Sequence, residues 1–134
     1  MLGNNIGSLT CQTTPRVMPA KNGMPCLETT AVGSGTLAGQ QVQVMATFSA
    51  TAQPDGSWYG ECPEAGVVMS ASGMATYRAS AAGHTTAEGG FSMRGVVYFS
   101  SQDTAMSVLN GKACVFTWEV DAAGTAQWEI WEIN

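Results

Sequence analysis

The chain has 134 residues, of which 45% are apolar and only 11% charged. That length suits one domain with a single core, and the charged share is less than half the usual quarter or so. Net charge is −5, from ten acids against five bases, and no window concentrates Lys or Arg, so the basic patch that nucleic acid or an anionic membrane would require is missing.

Strands dominate the pattern in chain order. A first segment is expected near "IGSLTCQTT" (residues 6–14). The stretch "TPRVMPAKNGMP" that follows contains three prolines and reads as an irregular loop, closing one end of the fold or packing along its outside. Thr and small residues fill "CLETTAVGSG" (26–35). Over residues 40–53, Val42, Val44, Ala46, Phe48, Ala50 and Ala52 alternate with polar Gln41, Gln43, Thr47, Ser49 and Thr51. A period of two marks a half-buried strand. "PDG" at 54–56 is a turn, because Pro presets φ and Gly accepts positive φ.

"SWYGECPEAGVVMS" comes next, and Pro63 predicts a bulge or an edge, since it cannot donate to a ladder. "SG" at 72–73 leads into "MATYRASAAGHT", and "AEGG" at 87–90 leads into "FSMRGVVYFSS". "SSQDTAMSVLN" (100–110) is the one helical candidate, a single turn capped by Ser101 or Asp103 and ended by Asn110-Gly111. "KACVFTWEVD", the turn "AAG" at 122–124 and "TAQWEIWEIN" complete the chain. Seven or eight short strands joined by hairpin turns predict an all-β domain over residues 1–134, a barrel or a sandwich. An antiparallel up-and-down barrel of about eight strands is preferred, because sequential hairpins make neighbours and closure removes exposed edges.

Cys11, Cys26, Cys62 and Cys114 form no CxxC pair, and there is a single histidine, which is a poor match to a structural zinc site. No metal site and no cofactor are expected. The opening "MLGNNIGSLT" lacks a charged n-region and an apolar h-region. A cytoplasmic location follows as an expectation, with the thiols reduced and acting as small core residues. No apolar run approaches a membrane span.

From about Gly33 onward, "QPDGSWYGECPEAG", "GHTTAEGGFSMRGVVYF" and "LNGKACVFTWEVDAAGTAQWEIWEIN" resemble a group of small bacterial and archaeal proteins that are poorly characterised. Their recurring phrases are a "DG…YGEG" hairpin, a "GxG…GG…RG" hairpin and an "LNG…VFE.EVD..G" ending. The resemblance extends more loosely to calycin-like and allene-oxide-cyclase-like β-barrels. It implies a barrel, while such barrels host binders, cyclases and isomerases alike. This chain departs from the phrases at "ECPEAG" and at its final "WEIN".

Two strands carry large groups on both faces. Phe91, Met93, Val97 and Phe99 oppose Ser92, Arg94, Val96 and Tyr98, and Cys114, Phe116, Trp118 and Val120 oppose Val115, Thr117 and Glu119. If the mixed faces point inward, the lumen holds Arg94, Tyr98 and Glu119, with Arg78 or Glu129 nearby. Arg94 would clamp a carboxylate or enolate oxygen, Tyr98 would donate a proton and Glu119 would act as base. The competing reading pairs Arg94 with Glu119 or Glu88 at the barrel rim as ladder support. His84 precedes a turn, where solvation is the commoner role. Trp58, Met93, Phe116, Trp118 and Trp128 are candidates to line an apolar cup, or equally to fill the core or a subunit interface.

Three functions remain open on sequence grounds. The leading one is a barrel that binds a small apolar or carbonyl-containing molecule. The second is a cofactor-independent isomerase, cyclase or lyase acting on a carbonyl or terpenoid-like substrate. The third is a structural barrel with a filled lumen. A homo-oligomer is expected in each case, because the last strand carries apolar groups on both sides.

Overall fold

The computed structural model describes residues 2–134 and is mostly strand. The elements are β1 (Leu2–Lys21), β2 (Met24–Leu37), β3 (Gln40–Ala52), β4 (Trp58–Ser70), β5 (Gly73–Thr85), β6 (Phe91–Ser100), a 3-10 helix (Thr104–Leu109), β7 (Cys114–Val120) and β8 (Thr125–Ile133). Each strand pairs antiparallel with the next, and β8 returns to β1 to close an eight-stranded barrel. The up-and-down barrel expected from the hairpin pattern is the architecture observed. A polar ladder runs along the outside of the closing seam. Ser8 donates to Glu129 at 2.6 Å, and Thr10 to Gln127 at 2.7 Å.

The proline-rich stretch is not an irregular loop. It forms the far end of a long β1–β2 hairpin that turns at Asn22 and Gly23, both at positive φ. Past Thr13, β1 pairs with β2 alone, and a strand with a free edge tolerates prolines that a central strand would reject. Pro19 falls where the register slips between Met18 and Lys21. The bulge expected at Pro63 is present. The β4 register shifts between Cys62 and Gly66, with Glu64 at φ 59°. Cys62 and Gly66 sit opposite Ala79 and Tyr77, so β4 has two more residues here than β5 and the strand faces stay in phase.

One end of the barrel is closed and the other is open. The 3-10 helix buries Met106 and Leu109 against the lower lumen, which Leu9, Leu37, Val68 and Ile130 fill. The cap residues behave differently from expectation. Asp103 occupies the N-cap position without capping the helix, and its carboxylate instead accepts from the Met74 N–H at 2.8 Å. Ser101 donates to the Met74 carbonyl at 2.6 Å, and Asn110 bonds both the N–H and the carbonyl of Ser101. These bonds tether the plug to β5 and β6. The turns β3–β4, β5–β6 and β7–β8 surround the opposite mouth.

All four cysteines are free thiols and buried. Among the described residues, no helix is long and apolar enough to cross a membrane.

Candidate ligand cup

The inward face is set by the strand period. On β3 the face carrying Val42, Val44, Ala46 and Phe48 points inward, as its alternation predicts. On β6, Met93, Val97 and Phe99 point inward, and on β7, Cys114 and Phe116 do. Below, side chains meet across the axis. Above, alanines and glycine are too short to do so, and a cavity of about 310 Å³ opens at the unplugged mouth. Its floor includes Cys11, Val44, Tyr77, Phe116 and Trp128. Phe48 and Trp118 meet edge to face above that floor, with centroids 5.7 Å apart and planes at 89°. The short residues Gly60, Ala79 and Ala81 also line it.

Of the five residues predicted to line a cup, Met93, Phe116, Trp118 and Trp128 do line it. Trp58 is not among the lining residues: it stands at the mouth end of β4, edge-on to Phe91 at 5.5 Å, and Phe91 lines the cavity.

The inward placement of Arg94, Tyr98 and Glu119 is corrected by the structure. All three lie on the outer surface. Arg94 pairs with Glu119 at 3.2 Å, with side chains 60% and 49% exposed. Ser92 joins them, donating to Glu119 at 3.0 Å and accepting from Arg94 at 3.2 Å. Tyr98 is exposed and lies under the Arg78 guanidinium, 5.3 Å from the ring centroid. Glu129 is held on the outer seam by Asn5, Ser8 and Gln127, and His84 is exposed near the end of β5. The physical reason is solvation: the ion pair keeps its hydration on the outer face, whereas the apolar lumen would strip it without compensating partners. Replacing Arg94 by Ala is therefore expected to change unfolding free energy by about 1 kcal/mol or less, as for other exposed ion pairs, checked by urea denaturation.

Sequence reasoning missed Tyr77, Phe48, Cys11 and Cys62. Tyr77 stands on β5 between Ala75 and Ala79 on the inward side and is 6% exposed. Burial, followed by the nearby thiols Cys62 and Cys11, pushes its hydroxyl well above the usual phenol range. Burial also pushes the Cys11 thiol up to about 11 and raises Cys62. The ionisable groups of the floor are thus held neutral near pH 7. A small-residue run beside one large polar aromatic, as in "ATYRASAA", was the signal available for them.

The fold and the cup define an eight-stranded up-and-down barrel, plugged at one end and open to an apolar cavity at the other. No family model and no curated protein matches the chain. Among solved structures it is similar to a conserved protein of unknown function from Rhodopseudomonas palustris, with a TM-score of 0.83, 10% identity, and coverage of 100% of this chain and 99% of that one. A second, of unknown function from Clostridium acetobutylicum, has a TM-score of 0.82 at 9% identity, covering 98% of each chain. At such identities the likeness extends to the fold alone. It agrees with the resemblance to poorly characterised small barrels.

Proposed function

We propose that this protein binds a small, mostly apolar molecule in the open cup. The observation that carries the reading is the cavity itself. Its volume of about 310 Å³ falls at the lower end of the range for small-molecule sites, and its lining matches their usual makeup of apolar walls with few polar groups. A structural barrel with a filled lumen finds no support in a lumen that is half open.

The cofactor-independent isomerase or cyclase is the weaker reading. A general acid or base works best with a pKa near the operating pH, whereas burial moves Cys11, Cys62 and Tyr77 away from it. The four free thiols favour a reducing, cytoplasmic setting. Exposed Val32 and Met45, cross-strand neighbours on β2 and β3, are the surface a homo-oligomer would use.

The test is a fluorescence titration with N-phenylnaphthylamine, an uncharged apolar probe. Wild-type protein is expected to bind it and enhance its emission. Ala50 lines the cup opposite Leu27 and Gly60, so Ala50→Trp should fill the space and weaken binding by about tenfold or more, roughly 1.4 kcal/mol. Equal binding by both proteins, or no binding by the wild type, would contradict the reading.

A further inference from the structure

Building on the binding reading above, we propose that the cup selects flat, uncharged ligands carrying a carbonyl oxygen, and that the Tyr77 hydroxyl is the donor that fixes this oxygen. The first ground is Tyr77 itself. Its ring is wedged over Gly66, where a Cβ would overlap it, and it is backed by Phe99 and Trp128 at 5.6 and 5.2 Å. Its hydroxyl makes no hydrogen bond with any described residue. Among the described residues, no buried side-chain nitrogen or oxygen is sealed off without a partner, so this oxygen opens onto the space Tyr77 borders, the cup. A hydroxyl that faces the cup and has no acceptor within the protein can donate to a ligand that brings one.

The second ground is charge. No Lys, Arg or His lines the cup. A carboxylate ligand would lose its hydration and gain no counter-charge, in a chain whose net charge is already −5. For a cation the cup offers carboxylates only on the exposed residues Glu61 and Asp121, where water weakens the pairing. The two lining carboxylates are engaged elsewhere: Glu61 accepts from the Tyr59 hydroxyl at 2.9 Å, and Asp121 accepts from the Ala123 and Thr125 N–H groups at 2.9 Å each. The third ground is shape. Phe48, Phe116, Trp118 and Trp128 make much of the lining aromatic, and Gly60, Ala79 and Ala81 add only short groups to it. A flat ring system suits such a lining, because it can stack on the rings or meet their edges.

The experiment compares wild type and Tyr77→Phe with three probes: the neutral naphthyl ketone Prodan, N-phenylnaphthylamine, which has no carbonyl, and the anion ANS. The ketone is expected to bind the wild type and to weaken about two- to tenfold in the variant, the range of one neutral hydrogen bond. N-phenylnaphthylamine should bind both proteins alike, and ANS should bind both more weakly than the ketone. Because the hydroxyl makes no bond within the protein, the variant should keep its melting temperature. The infrared carbonyl band of the bound ketone gives an independent readout. It should lie at lower wavenumber in the wild type and rise in Tyr77→Phe. Unchanged ketone affinity and band position in Tyr77→Phe would overturn the inference while leaving the apolar cup intact. Tighter binding of ANS, or of a quaternary ammonium analogue, would overturn it as well. Failure of N-phenylnaphthylamine to bind the wild type would overturn it together with the reading it rests on.

Discussion

Trp128→Ala is expected to lower the unfolding free energy by about 3–5 kcal/mol, the range for deleting a large buried aromatic. Trp128 is 3% exposed and stands where the packed half of the lumen meets the open half. Its ring meets Tyr77 at 5.2 Å, Phe116 at 6.0 Å, and Phe99 and Trp118 at 6.2 Å each. Two of these contacts are close to perpendicular, at 89° with Phe116 and 81° with Trp118, the edge-to-face geometry that aromatic quadrupoles favour. Removing the indole therefore takes support from four rings at once, and the cup floor drops into the space it leaves. Urea denaturation should show a lower midpoint with an unchanged slope. A loss below about 1 kcal/mol would mean that the rings are not packed as a unit.

Gly66→Ala is the second large effect, expected at about 3 kcal/mol, the upper end for overpacking. The added methyl would overlap the Tyr77 ring. Tyr77 has little room to retreat, because Phe99 and Trp128 close the other side. The cost should belong to the pair and not to the strand. In a Tyr77→Ala background the same change should cost less than about 1 kcal/mol, which a double-mutant cycle of urea midpoints would read as strong coupling. Equal costs in the two backgrounds would place the strain in the β4 backbone instead. A Gly66→Ala protein that still folds should also bind the ketone probe weakly, since its Tyr77 is displaced from the floor.

Much of this architecture was legible in the residues. The alternation from Val42 to Ala52 set the faces of β3 correctly, and Pro63 marked a real bulge. The hairpin turns gave the strand order, because sequential neighbours and closure follow from short connections. What stayed ambiguous was the inside of β6 and β7, where period two separates the faces without saying which is buried. Val96, Val115 and Tyr98 put bulk on the outer side, so size gave no answer. The register supplies it. Ser92 pairs with Glu119 and Arg94 with Thr117, which lines up one polar row across neighbouring strands, and such rows belong in water.

The proline-rich stretch was misread for a related reason. Proline argues against a central strand, and only the tertiary pairing reveals that β1 has a free edge past Thr13. The cup was hidden because a cavity is a deficit of volume across several strands. Gly60 on β4 and Ala79 and Ala81 on β5 each look unremarkable in their own segment. Once closure brings them into one lumen with Phe116 and Trp118, they are too short to fill it.

The central claim is that the open half of the barrel holds a ligand, and the most direct measurement is a crystal structure with a bromine-labelled neutral aryl ketone. The account predicts anomalous bromine density inside the cup, with the ketone oxygen about 3 Å or less from the Tyr77 hydroxyl. Bromine density confined to the outer surface, or an empty cup at saturating ketone, would contradict it.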